Sequence, residues 1–186
     1  LASILSKFSM GICLFMSQEF NFISFPKSLT TGSSIMPHKK NPDTFELIRG
    51  KCNILQSIPY QLTLLTNNLP VGYHRDMQLS KGIIIEAVQE IKSCLDMFIF
   101  SLKKIIIRKD ILNDQKYDYI FSVNTLNKWV KEGMPFRDAY RKMKDDIDKG
   151  NYTPNKNLNH SHIGSVGNLS INSIEEKMNK FLDNLH

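Results

Sequence analysis

Apolar residues recur at helical spacing along most of this chain, broken by stretches rich in glycine, proline and amides. Leu1, Ile4, Leu5, Phe8, Ile12, Phe15 and Met16 fall at threes and fours over residues 1–18, which predicts a helix with a wide apolar face. A face that broad suits burial inside a bundle. Phe20 to Phe25 alternates weakly around Asn21 and Ser24 and stops at Pro26, so it reads as an extended connector. Asp43-Thr44-Phe45-Glu46 has the form of a capping box, with acid at the cap and glutamate three residues on. It predicts a helix from Asp43 to about Thr66, faced by Leu47, Ile48, Ile54, Leu55 and Ile58 and kinked at Pro59.

Asn67 to Gly72 is a loop dense in breakers. The longest periodic segment follows, from about Asp76 to Ile107, with Ile84, Ala87, Val88, Ile91, Leu95, Phe98 and Leu102 on one face. A helix of that length extends about 45 Å at 1.5 Å per residue. It cannot bury its face against a small domain and calls for a long helical bundle. Composition shifts near Asn113-Asp114-Gln115, which sets a domain boundary between residues 1–113 and 114–186. Beyond it the helices are short. One runs from Ser122 as cap to Glu132, with Gly133 as stop, and another from near Pro135 to before Gly150. Residues 151–169 read as a long loop. Ser173 and Glu176 form a second capping box that opens a last helix to about Leu185.

Composition narrows the partners only slightly. The 186 residues carry a formal charge of +6, yet the lysines are scattered. The densest basic run, Lys103 to Lys109, lacks aromatic interleaving or any nucleic-acid-binding motif, and reads as the solvated end of a helix. Neither a nucleic-acid partner nor a membrane partner is expected, since the apolar run at residues 10–16 is too short to span a bilayer. Cys13, Cys52 and Cys94 have no metal or redox spacing. They read as reduced, buried residues of a cytoplasmic protein. His160 and His162 lack a third ligand in range and read as loop residues rather than a metal pair.

One stretch demands a different explanation. Residues 32–43, Gly-Ser-Ser-Ile-Met-Pro-His-Lys-Lys-Asn-Pro-Asp, combine glycine, two hydroxyls, two lysines, an amide and two prolines. No core needs that mixture, but a loop that handles a polyanion does. Glycine permits close backbone approach to a ligand, and the prolines stiffen the loop. This stretch resembles the GSSxMPxKxNP signature of the fumarase/aspartase superfamily. Residues 69–81, Leu-Pro-Val-Gly-Tyr-His-Arg-Asp-Met-Gln-Leu-Ser-Lys, are similar to the LPxGYxRDLQxxK segment of the argininosuccinate lyase family. Residues 133–140, Gly-Met-Pro-Phe-Arg-Asp-Ala-Tyr, are similar to a segment of that family's C-terminal domain.

The resemblance implies an all-α fold: the C-terminal part of a long-helix bundle (residues 1–113, with the signature loop at 32–43) followed by a small C-terminal helical domain (114–186). It implies a homotetramer whose active sites are shared between subunits, with no metal or organic cofactor. The reaction would be β-elimination of argininosuccinate to arginine and fumarate, the last step of arginine biosynthesis. A base removes a proton beside a carboxylate, the charge spreads into that carboxylate as an aci-type dianion, and an acid protonates the departing guanidino nitrogen.

By the same resemblance Ser33 is the base, with Ser34 beside it as the alternative. A serine hydroxyl needs nearby positive charge and hydrogen-bond donors to favour its alkoxide. Lys39 and Asn41 match positions that meet and orient a substrate carboxylate. Tyr73, Gln78 and Lys81 match positions that grip argininosuccinate, and Gln78 and Lys81 lie three apart on one helical face. Glu46 matches a glutamate that pairs with the catalytic histidine, while the capping box offers it a plain structural role. His38 reads as loop structure or a ligand contact rather than a proton donor. The general-acid histidine of an upstream HTHxQxA-like motif has no counterpart in this sequence. The opening Leu1, set inside an apolar pattern, is expected of a fragment that is inactive by itself. The rival readings are adenylosuccinate lyase or another fumarate-releasing member, a silent crystallin-like structural protein, and a split-gene fragment.

Overall fold

A computed structural model describes residues 1–32, 35–36, 40–158 and 160–185. They form two compact units, Leu1–Ile111 and Leu112–His186. The first holds four helices: α1 (Ala2–Met16), α2 (Asp43–Leu55), α3 (Ile58–Thr66) and α4 (Ser80–Leu102). The second holds α5 (Ser122–Lys131), α6 (Phe136–Asp148) and α7 (Ile171–Asp183).

In the first unit α2 packs against both α1 and α4. Each helix buries a narrow stripe set by its 3.6-residue period: Leu5, Ser9 and Ile12 from α1, Phe45, Ile48 and Cys52 from α2, and Cys94, Phe98 and Ser101 from α4. Phe45 is the hub. Its ring meets Phe25 at 5.1 Å and Phe98 at 5.8 Å, and Phe98 in turn meets Phe8 edge-on at 5.1 Å. Much of the wide apolar face read from the α1 sequence stays exposed in this chain, including Leu1, Ile4, Phe8 and Phe15.

Three boundaries differ from the sequence reading. The expected helix from Asp43 to Thr66 is two helices. The ring of Pro59 would strike the carbonyl four residues back, and α2 ends at that residue, Leu55. Pro59 then sits in the first turn of α3, where its missing N–H costs nothing. The amide of Gln56 donates to the Cys52 carbonyl at 3.2 Å and the Ser57 hydroxyl to the Ile54 carbonyl at 2.8 Å, satisfying groups the break exposes.

The long helix is also shorter than its periodicity. Residues Arg75–Leu79 form a 3-10 turn, and α4 ends at Leu102. The basic run beyond it is not a helix end. Ile106–Ile107 (β2) pairs antiparallel with Ile23–Ser24 (β1), in register Ile23↔Ile107 and Ser24↔Ile106, and Arg108 N–H donates to the Phe22 carbonyl at 2.9 Å. Three consecutive β-branched isoleucines prefer the extended backbone, and the connector at 20–25 supplies the partner. The fold remains all-α apart from this small two-stranded ribbon.

Neither capping box forms. Pro42 occupies the N-cap of α2 and Ser170 that of α7, and neither helix has a side-chain cap bond. Helix α5 likewise begins at Ser122 after Phe121, and the Ser122 hydroxyl donates backward to the Tyr119 carbonyl. Gly133 does end α5, with φ +101° in the left-handed region. In the second unit Leu126, Ala139 and Met143 are buried, with Trp129, Val130 and Tyr152 packed around them. Lys142 lies over the Trp129 ring at 4.6 Å. Among the described residues, no helix is long and apolar enough to cross a membrane.

Where α2 meets α4, the Cys52 and Cys94 side chains are almost wholly buried. Burial, reinforced by Cys94, pushes the Cys52 thiol up to about 11. The folded chain therefore holds this proton at a pH where the unfolded chain has released it. That stability is complete below the ordinary thiol value of 9.0 and is lost as pH rises toward about 11. Urea titrations across this window should show stability declining, with a shallower decline in Cys52→Ala. At the hub, Phe45→Ala should cost about 3–5 kcal/mol by the same measurement, whereas Leu47→Ala at an exposed position should stay within about 0.5 kcal/mol.

Candidate active site

The polar stretch at 32–43 leaves and returns at one point. A 3-10 turn, Lys27–Leu29, follows Pro26 and delivers an extended Thr30. Thr31 then forms an isolated antiparallel bridge with Asn41, whose N–H donates to the Thr31 carbonyl at 2.9 Å. The Thr31 hydroxyl donates to the Asp43 carboxylate. Asp43 opens α2, and with Glu46 it places two acids in the first turn, the end that favours negative charge. Glu46 is exposed there. Among the described residues, nothing lies within 4 Å of where a side chain at Gly32 would project. Ser33, Ser34, Pro37, His38 and Lys39, among them the expected base Ser33 and carboxylate ligand Lys39, lie outside the described residues.

The second segment is built by a tight turn. Gly72 has φ +119°, a conformation that costs glycine little. It reverses the chain before the Arg75–Leu79 turn. Met77 N–H donates to the His74 carbonyl at 3.2 Å, and the Ser80 hydroxyl donates to the Met77 carbonyl at 2.6 Å. The second of these bonds joins the 3-10 turn to α4. The sequence reading placed Gln78 and Lys81 on one α-helix. Gln78 instead lies within the 3-10 turn, while Lys81 lies in the first turn of α4. The Gln78 amide donates to the Tyr73 hydroxyl. Tyr73, Gln78 and Lys81 are all exposed, so the Tyr73–Gln78 pair presents an amide and a phenol to solvent.

Two groups thus form around expected site residues: Asn41, joined by Thr31 and Asp43 at the loop base, and Tyr73 with Gln78 ahead of α4. Among the described residues, no hydrogen bond or ion pair joins one group to the other. They are connected through the packing of α2 on α4, where Lys51 Nζ lies 2.5 Å from Glu90 Oε1. The hydrogen bond to Glu90 raises the Lys51 pKa. Both partners are well exposed, and such a pair contributes little to stability. Thr31 and Asp43 escaped the sequence reading because the capping-box pattern gave Asp43 another partner. The Nε2 atom of His74 is buried with no hydrogen-bond partner among the described residues, and the 69–81 pattern leaves that position unspecified. His160 and His162 meet ring to ring at 5.8 Å. Among the described residues, no group of three or more His, Cys, Asp or Glu side chains is placed to hold a metal ion.

Comparison with known proteins adds function-bearing relatives. A lyase family model matches residues 1–56. Argininosuccinate lyase of Phocaeicola vulgatus is 49% identical over 183 residues, covering 98% of this chain and 41% of that protein. Argininosuccinate lyase of Thermotoga neapolitana is 38% identical over 137 residues, covering 74% of this chain and 34% of that protein. The chain thus spans about two-fifths of the length of its more similar curated relatives. Among solved structures, 3-carboxy-cis,cis-muconate lactonizing enzyme from Pseudomonas putida aligns with a TM-score of 0.63 at 15% identity, over 80% of this chain and 34% of that one. An EDDS lyase variant with bound fumarate aligns at 0.61 and 18% identity, over 80% of this chain and 31% of that one. These two structures share the fold.

The Tyr73–Gln78 pair offers a direct check on the local geometry. Because both residues are exposed, Tyr73→Phe should shift stability by no more than about 0.5 kcal/mol. It should nonetheless release the Gln78 side-chain amide, visible as faster exchange of its NH₂ protons by NMR.

Proposed function

Because the chain belongs to the argininosuccinate lyase family of the fumarase/aspartase superfamily, we propose that it is the C-terminal portion of a lyase splitting argininosuccinate into arginine and fumarate. The observation that carries this reading is the 49% identity that extends over 98% of the chain, taken with the signature at 32–43. Residues 1–113 contribute part of the central helical bundle, and 114–186 a small C-terminal domain. The working enzyme is a cytoplasmic homotetramer in which each active site draws on several subunits.

Within that reading each named residue has one task. Ser33 takes the proton beside the substrate carboxylate, with Ser34 as its alternative. Lys39 supplies positive charge as the dianion develops, and Asn41 orients the same carboxylate. Stabilising charge that appears only in the transition state is what accelerates the step. Tyr73, Gln78 and Lys81 hold the substrate. A phenol, an amide and an ammonium group together offer donors suited to carboxylate oxygens, and the Tyr73–Gln78 hydrogen bond orients two of the three in advance. Glu46, exposed in the first turn of α2, is free to pair with a histidine supplied from elsewhere in the assembly. The acid that protonates the guanidino nitrogen is that histidine.

Fumarate release from argininosuccinate, followed by ultraviolet absorbance in the complete subunit containing this chain, tests the reading. Ser33→Ala should lower kcat roughly 10²- to 10⁴-fold, the range for losing a general base, while Ser34→Ala keeps most activity. The reverse pattern would move the base to Ser34. An assembled parent protein that releases no fumarate would refute the substrate assignment.

A further inference from the structure

Both ends of the signature loop are held by a single residue. The Thr31 carbonyl accepts the Asn41 N–H at 2.9 Å, and the Thr31 hydroxyl donates to the Asp43 carboxylate. Asp43 is the first residue of α2, yet no side chain caps that helix. An aspartate here would ordinarily serve its own helix terminus. Its carboxylate is instead turned to the loop, where a hydroxyl bound to an ionised acceptor makes a stronger contact than a neutral pair. Threonine suits the task because its branched Cβ restricts χ1, which limits the directions the hydroxyl can take. Two residues beyond Asp43, Phe45 is anchored in the core at 2% exposure. Asn41 is therefore tethered from both sides: by the bridge to Thr31, and through Asp43 to the buried stripe of α2.

We propose that Thr31 and Asp43 are positioning residues: their hydroxyl–carboxylate bond locks the loop base and so presents Asn41 to the substrate carboxylate. The inference rests on the lyase reading above. Without the bond, the loop base samples more arrangements and only a fraction of them is competent. The apparent dissociation constant rises as the inverse of that fraction. A variant that merely folded poorly would behave otherwise, losing active protein and hence kcat while its KM stayed the same.

The test compares Thr31→Val, which keeps the shape and removes the donor, with Thr31→Ser, which keeps the donor. Argininosuccinate kinetics are measured in the complete subunit, and amide exchange at Asn41 in this full chain. Thr31→Val should raise KM about tenfold, with kcat within about twofold, and speed Asn41 exchange about tenfold, as loss of one charge-assisted hydrogen bond implies. Thr31→Ser should restore both. An unchanged KM, a fall confined to kcat, or a serine variant that restores nothing would overturn the inference while leaving the lyase reading intact. If the parent subunit releases no fumarate, the positioning role in this reaction falls with the substrate assignment. Asn41 exchange then decides the clasp alone: a response to valine that serine reverses upholds it, and no response removes it.

Discussion

The seating of Phe45 between Phe25 and Phe98 is the contact on which the first unit depends. It joins the connector after α1, the start of α2 and the far half of α4 in one buried cluster. Aromatic rings in edge-on or tilted contact add specific geometry to the area they bury. Phe45 also lies two residues beyond the end of the signature loop. The packing that holds α2 against its neighbours therefore sets where the loop returns, linking core and candidate site through a few covalent bonds.

From that anchor the polar chemistry follows a division of labour. Side chains facing the core are apolar or small, as with Cys52, whose thiol is held neutral by burial. Groups suited to a charged substrate sit at element boundaries, at the loop base before α2 and in the 3-10 turn before α4. Backbone groups left over at such boundaries need partners, and here the hydroxyls of Ser57, Ser80 and Ser122 supply them. The boundaries are consequently well defined without conventional caps. Asp43 is the clearest case, because its carboxylate serves the loop rather than the helix.

Much of the amphipathic pattern remains uncovered within this chain. Ile4, Leu14, Ile84, Val88 and Phe100 are exposed on α1 and α4, and α7 has no buried residue although Ile171, Ile174, Met178 and Phe181 recur at helical spacing. Helical faces of this width exceed what three packed helices can cover. They are consistent with the proposed assembly of several subunits.

Period and punctuation by themselves determined the helix over 1–18, the central part of the one expected from Asp76 to Ile107, the stops at Gly133 and Gly150, and the polar stretch at 32–43. These features are local: a 3.6-residue repeat, or a glycine able to take positive φ, needs no distant partner. The motif at 69–81 likewise contains both Tyr73 and Gln78, which the fold joins by a hydrogen bond. Tertiary structure decided what depends on competition between partners. Ile106 and Ile107 left the helix because residues 23–24 offered a strand. Asp43 gave up its capping box because Thr31, twelve residues away, supplied a hydroxyl. Gln78 entered a 3-10 turn because the chain had to reverse at Gly72 and still feed α4. In each case local propensity allowed two outcomes separated by little free energy, and a contact distant in sequence chose between them.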